Sequence, residues 1–359
     1  MNTFIKNMDK TSLMHISPGD IADRLSILKI KLDNVTDPKK LQNIKNEYEM
    51  LRCEYTEDVT DLYKVNSVLW DVENELRLCE KRQDFGSLFV RLARLVYHTN
   101  DRRAAIKRAI NKDSEIAEEK QYPEYEQTNK KTVGILNHLG LGDNLVCNGM
   151  IRHYAKTCNV ITYVKKQYVQ SVEYMYRDLG PSLIVVPVVD DQDAWSKQRP
   201  GTIRTGIFYG PHWNIQPPWC NSFYKNAGLD PSIMRSEFFV LRSRDCEERM
   251  YRQMIEHIGT DKYIVVHDDP ERYTSIPVDT NFPIIRIGRG QFPIESTNIF
   301  DYCTLIERAV EYHGFDSSFM WLIELMKLRP KETTFLHRIR PATNPGYEEF
   351  DMTSNGTFP

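Results

Sequence analysis

The sequence predicts an α + α/β protein, an N-terminal helical bundle followed by two small Rossmann-like α/β domains. Three observations carry this. Residues 17–118 place their apolar side chains at helical spacing only. From residue 132 onward, short β-branched runs alternate with helix-length segments. At the junction stands Gly134-Ile-Leu-Asn-His-Leu-Gly-Leu-Gly-Asp-Asn144, an apolar run that passes through a Gly-x-Gly-Asp turn into an amphipathic segment. Strands alternating with helices predict a parallel sheet covered on both faces.

The helical part is well signalled. Ser17-Pro18-Gly19-Asp20 reads as N-cap, first-turn proline and first-turn acid, and Ile21, Leu25, Leu28 and Leu32 then form one stripe. Asp37-Pro38 repeats the start, with Leu41, Ile44, Tyr48 and Leu51 on one face. The pattern resumes through Val65, Leu69, Val72 and Leu76, breaks near Asp84-Phe85-Gly86, and returns with Leu88, Leu92, Leu95 and Val96. Three or four helices packed as antiparallel hairpins are expected. The polar residues Trp70, Glu73, Glu75, Arg77, Glu80 and Asp101-Arg102-Arg103 read as salt-bridged, solvated faces around an aromatic anchor. The long apolar stripe also suits pairing with another copy, a homo-oligomer through the helical domain.

Residues 119–131 are polar with a proline and read as a linker. Strands are expected at Thr132–Asn137, Val160–Val164, Leu183–Pro187 and Ile203–Tyr209, with helices at Asn144–Lys156 and Tyr168–Leu179. A helix carrying Phe223, Tyr224 and Ala227 ends at Gly228. The alternation restarts with strand Phe238–Leu241, helix Asp245–Ile258, strands Lys262–His267 and Ile284–Ile287, helices Phe300–Tyr312 and Ser317–Met326, and strand Thr333–Leu336. The domain bounds are 1–125, 126–235 and 236–340, with a Pro/Thr/Asn/Gly-rich tail at 341–359.

Bulk composition narrows the class. The 359 residues suit two or three domains, and 41% hydrophobic with 27% charged residues is globular. A formal net charge of −3 gives no global pull toward nucleic acid or membrane. Seven cysteines, odd in number and without a CxxC pair, read as reduced thiols and a cytoplasmic setting. Residues 1–10 hold no signal-peptide core, and the longest aliphatic run, 183–189, is far below the roughly 20 residues that span a bilayer. Membrane association would have to come from a partner or an acceptor lipid.

In open α/β sheets ligands bind beyond the carboxyl ends of the strands. Asn137, His138, Gly140, Gly142 and Asp143 follow the first strand. The glycines permit unusual backbone angles and a close ligand approach. Asp143, at a helix start that favours its ionised form, is a candidate general base, and His138 is its rival. Gly314-Phe-Asp-Ser-Ser318 would set main-chain N–H groups and two hydroxyls before a helix, as a diphosphate requires, with Arg272, Arg286 and Arg289 as counter-charges. His267-Asp268-Asp269 offers adjacent carboxylates that could hold Mg²⁺ or Mn²⁺. The dinucleotide fingerprint fails: Leu145 stands at its third glycine, and Lys165-Lys166 replace the ribose-binding acid.

His138-Leu-Gly-Leu-Gly-Asp-Asn144, followed by Asn298-Ile-Phe-Asp-Tyr302, Ala309 and His313-Gly-Phe-Asp-Ser-Ser318, resembles the two-domain GT-B glycosyltransferases over about residues 132–340. The likeness is greatest to small heptosyltransferase-related members and to similar enzymes carried by large DNA viruses and phages, which would place a viral protein in the host cytoplasm. Ser17-Pro-Gly-Asp-Ile-Ala-Asp-Arg-Leu-Ser-Ile-Leu28 and Thr99-Asn-Asp-Arg-Arg-Ala-Ala-Ile-Lys107 resemble a helical domain of unassigned function found beside such transferases.

The resemblance implies an inverting, metal-independent transfer of sugar from a nucleotide-diphosphate donor to a hydroxyl of a glycan or glycoprotein. No cofactor is implied. Asp143 maps to the base, and Asp316, Ser317 and Ser318 to the diphosphate cradle. His267 and His313 are donor-side candidates by their place at strand ends, not by the resemblance. The pattern's Asp-Thr-Gly is Asp316-Ser317-Ser318 here, and the His267-Asp268-Asp269-Pro270 loop has no counterpart, which keeps the metal question open. Two other readings stand beside this one: a nucleotide-sugar epimerase of the same fold, and a non-catalytic nucleotide-sugar-binding scaffold that recruits partners through its helices.

Overall fold

The helix starts follow the capping chemistry of the chain. The Ser17 hydroxyl accepts the Asp20 N–H at 3.2 Å and opens α1 (Pro18–Asn34). The Asp37 carboxylate accepts the Lys39 and Lys40 N–H groups and opens α2 (Pro38–Glu54). In the computed structural model, residues 16–113, 130–206, 220–268, 275–288, 296–315 and 317–337 are described. The chain divides into two units, Met1–Glu126 and Gln127–Pro359.

In the first unit α3 (Thr60–Arg82) ends where Gln83 turns left-handed at φ 54°, and α4 (Ser87–Ile110) returns beside it. Ala22 and Leu25 of α1 pack with Leu62 of α3 and Tyr48 and Leu51 of α2. The polar residues divide in a way that helical spacing does not reveal. Glu73 and Arg77 form an exposed pair at 3.0 Å. Glu75, in contrast, is buried. Arg103 is drawn inward to Asp23 at 2.9 Å, and Asp23 also takes a hydrogen bond from Asn66. The two stretches that carried the N-terminal resemblance meet here, through Arg103 on Asp23 and Lys107 on Asp20, and just beyond the second of them Asn111 Oδ1 accepts the Gly19 N–H at 2.7 Å.

The second unit holds two parallel four-stranded sheets. The first contains β1 (Thr132–Leu136), β2 (Asn159–Lys165), β3 (Leu183–Val188) and β4 (Ile203–Arg204) in the order β3-β2-β1-β4. Its helices are α5 (Leu141–Val146), α6 (Asn148–Ala155), α7 (Val169–Met175) and α8 (Asp191–Lys197). Short helices α9 (Cys220–Asn226) and α10 (Ile233–Ser236) lead to α11 (Arg244–Ile258). The second sheet contains β5 (Ile264–His267), β6 (Ile284–Ile287), β7 (Glu311–Phe315) and β8 (Thr333–His337) in the order β6-β5-β7-β8, with α12 (Cys303–Arg308) and α13 (Ser318–Met326). One apolar core joins both sheets, from Ile135, Met150 and Val164 to Val265, Phe300 and Leu322.

Several expected elements change. The expected helix Phe300–Tyr312 ends at Arg308, and β7 follows as a central strand buried between β5 and β8. Leu305, Ile306, Ala309 and Tyr312 fit a helical stripe equally well, so spacing could not separate helix from doubly covered strand. Phe238–Leu241 is not a strand. Side chains satisfy its main chain instead: Asn148 brackets Phe239, and Arg177 donates to Leu241 O. The helix expected at Asn144–Lys156 is two segments broken at Cys147, and α8, capped by Asp190, was not expected. The linker at 119–131 falls largely, and the tail at 341–359 wholly, outside the described residues, as do residues 207–209 of the fourth strand.

Candidate functional site

Both sheets have their switch point beside their first strand. In the first, β1 lies between β2 and β4; in the second, β5 lies between β6 and β7. Crevices at such points are where open α/β sheets bind ligands.

The loop after β1 is held shut by two buried asparagines. Asn137 Oδ1 accepts the Leu139 N–H at 2.9 Å, Asn137 donates to Asn144 Oδ1 at 3.3 Å, and Asn144 Nδ2 donates to Gly140 O at 2.8 Å. The residue forced into the left-handed region is Leu139, at φ 62°, not a glycine. Gly140 is extended, at φ −69°. Neither glycine is therefore needed for an unusual backbone angle, and what they provide is close approach to their neighbours. A Cβ on Gly140 would lie 2.6 Å from Asp143 Oδ2. A Cβ on Gly142 would touch Trp321 Cδ1 at 3.4 Å and the Ser318 main chain at 3.7 Å. The Gly-x-Gly-Asp turn of the first sheet thus packs directly on the first turn of α13.

The second sheet supplies the facing wall. His267 ends β5, and Ser317 is the N-cap residue of α13 after β7. The Ser317 hydroxyl makes no cap hydrogen bond; its Oγ lies 3.2 Å from His267 Nδ1 instead. The His267 ring rests on Phe319, with centroids 4.2 Å apart. The first N–H groups of a helix have no partner within the helix, and here they stand beside two hydroxyls and the positive end of the helix dipole. Gly142 thus meets Ser318 at the start of α13, Asp143 lies beside Gly140 in the same turn, and His267 reaches the same helix end through Ser317. Trp321, which packs on Gly142, and Phe319, which packs on His267, have no signal in the sequence, because an apolar residue inside a helix carries no chemical signature.

Other candidates go elsewhere. His138 leaves the end of β1 and sets its ring edge-on to Phe223, at 5.4 Å. Burial lowers its pKa from the ordinary 6.5, with nearby Asp191 opposing, so the ring is neutral at neutral pH. His313 is a mid-strand residue, not a loop residue before a helix. Its ring stacks on Phe335 at 4.4 Å, and Nε2 meets Glu311 at 3.1 Å. Burial lowers its pKa too, against the pull of Glu311. Arg286 is occupied within the fold: Nη1 donates to both Asp268 oxygens at 3.0 Å, and Nη2 to Ile276 O at 3.1 Å. Asp268 also accepts the Ile276 N–H and is fully buried. These bonds already occupy the carboxylate suggested for Mg²⁺ or Mn²⁺. Among the described residues no group of three or more His, Cys, Asp or Glu is placed to hold a metal ion. Asp269, Arg272, Arg289 and Asp316 lie outside the described residues. Among those residues, too, no helix is long and apolar enough to cross a membrane.

Residues 13–133 match a family of unknown function, DUF6165. No curated protein matches the chain. Among solved structures, the chain is similar to a glycosyl transferase family 9 protein from Veillonella parvula, at 10% identity over 64% of this chain and 86% of that one, with a TM-score of 0.41. It is also similar to the iron-containing dodecameric glycosyltransferase TibC from enterotoxigenic E. coli, at 13% identity over 60% of this chain and 64% of that one, with a TM-score of 0.35. A second TibC structure, described as a heptosyltransferase in complex with ADP-D-beta-D-heptose, gives 13% identity over 64% and 69%, with a TM-score of 0.36.

Proposed function

We propose that the second unit is a glycosyltransferase that moves a sugar from a nucleotide-diphosphate donor to an acceptor hydroxyl. The observation that carries this reading is the packing of Gly142 against Ser318. It sets a carboxylate, Asp143, one residue from the contact with the first turn of α13, where the helix dipole is positive. A base beside an anion cradle is what displacement of a nucleotide diphosphate requires.

In this reading Asp143 removes the proton from the acceptor hydroxyl. The oxygen attacks the anomeric carbon, the bond from that carbon to the β-phosphate oxygen breaks, and the departing diphosphate takes up the negative charge. The Ser317 and Ser318 hydroxyls and the N-terminal dipole of α13 stabilise that charge. Attack on the face opposite the leaving group inverts the anomeric centre. His267, braced by Phe319, orients the Ser317 hydroxyl. His138, neutral and half-buried, is the second candidate base.

The test is thermal stabilisation by UDP-, GDP-, CMP- and ADP-type nucleotides and nucleotide-sugars, with and without Mg²⁺. A ligand at about 100 times its dissociation constant stabilises by roughly 2.7 kcal/mol. One responding base class, followed by acceptor-dependent nucleotide release, supports the transferase. Donor conversion without any acceptor assigns an epimerase instead. Silence across the whole panel sinks the proposal.

A further inference from the structure

The α3–α4 hairpin of the first unit carries its own surface chemistry. Polar side-chain contacts from α1 reach Tyr63, Asn66, Arg103, Lys107 and Asn111, all at the base of the hairpin. The far end is open: every residue from Glu80 to Leu88 is exposed. Three large apolar side chains stand there in water, Phe85 at 49%, Leu88 at 38% and Val90 at 54% of full exposure. Phe85 is held in place by an edge-on contact with Phe89, centroids 5.2 Å apart. Between Glu80 and Arg94 the chain has four cations, Lys81, Arg82, Arg91 and Arg94, against two acids, Glu80 and Asp84. Arg91 lies three residues beyond Leu88 and Arg94 four beyond Val90, so the cations sit one helical turn behind the apolar tip.

We propose that this tip docks the protein on an anionic lipid surface. Phe85, Leu88 and Val90 enter the headgroup–acyl boundary, and the Lys and Arg side chains behind them meet the anionic headgroups. A cationic tip against a second copy of itself would face like charge across a two-fold axis, which disfavours self-pairing through this surface. The chain's net charge of −3 hides the local excess, so whole-chain charge gives no sign of it.

The experiment is co-sedimentation of the full-length protein with phosphatidylcholine vesicles with or without phosphatidylglycerol. Expected is pelleting with the anionic vesicles only, released by high salt, because screening shortens the reach of exposed charges to under about 10 Å above 0.1 M. Lys81→Glu with Arg82→Glu should weaken partition by at least roughly fivefold per site. Phe85→Ser, Leu88→Ser and Val90→Ser together should abolish it, with circular dichroism reporting an unchanged fold; if that triple variant misfolds, the charge variant decides alone. No pelleting with anionic vesicles overturns the proposal, as does equal pelleting by the charge variant. A concentration-dependent dimer that Leu88→Ser dissolves, without vesicle binding, assigns the surface to a second copy instead. None of these outcomes depends on whether the second unit transfers sugar.

Discussion

The Ser317 hydroxyl and His267 Nδ1 lie 3.2 Å apart across the switch point of the second sheet, one from the end of β5 and one from the turn after β7. The serine at the N-cap position therefore spends its hydroxyl on a neighbouring strand end rather than on its own helix. Ser317→Ala should cost little fold stability, since no cap bond is lost. If the hydroxyl meets a donor phosphate, it should lower nucleotide-sugar affinity by about 1.5–3 kcal/mol, the usual contribution of a hydrogen bond to a charged group. Titration calorimetry reads this directly, and unchanged affinity would remove Ser317 from the donor site.

Asp143→Asn keeps the shape of the side chain and removes the base. Turnover should fall by about 10²–10⁴, the range for loss of a positioned general base, with nucleotide binding retained. A fully active variant would pass the role to His138.

The two turn glycines should fail differently. Gly140→Ala places a methyl 2.6 Å from the Asp143 carboxylate, which can swing aside. Its melting temperature should stay near the parent's while turnover falls. Gly142→Val presses against Trp321 and the Ser318 backbone, which cannot swing aside, and should cost about 1–3 kcal/mol as an overpacked contact does. Urea titration of both variants, paired with an activity assay, separates the two effects.

Arg286→Met takes the guanidinium away from the fully buried Asp268 carboxylate, which keeps the Ile276 N–H. Breaking a buried pair by removing one partner costs about 3–5 kcal/mol. A variant as stable as the parent would show that Asp268 has another cation, and would return Arg286 to the list of donor ligands.

Acid should weaken the second unit. Burial lowers the folded-state pKa of both His138 and His313 below 6.5. The unfolded chain then binds more protons below that pH, so stability is full above it and is lost as pH falls through the folded values. The denaturation midpoint should drop between pH 7.5 and 5, and His313→Gln should shrink the drop. An equal drop in that variant would rule out His313 as a contributor.

How much of this was legible in the chain varied with the range of the interaction. The caps at Ser17 and Asp37 and the start of α13 rest on contacts within four residues and match within a residue, whereas the helix after the Gly-x-Gly-Asp turn starts three residues early, at Leu141, and takes Gly142 and Asp143 into its first turn. β7 was misread because both its faces are covered, and such a strand lacks the alternation that distinguishes it from a helix. His313 and Arg286 carry the right chemistry for a site, yet the sheet turns one toward Phe335 and the other toward Asp268.

The sequence by itself determined which segments become helix or strand at their capped ends, because those choices are settled by local hydrogen bonds and by side-chain period. It also marked the two helix starts that hold Asp143 and Ser317–Ser318. Only the tertiary structure decided that these helix starts meet, through Gly142 on Ser318 and Trp321, since two stretches about 175 residues apart come together by packing of a shared core rather than by any local preference. The same holds at the helical end, where burial drew Arg103 and Glu75 inward and left Phe85, Leu88 and Val90 in water. Spacing gives a side chain its face on a helix; only the neighbouring elements decide whether that face is covered.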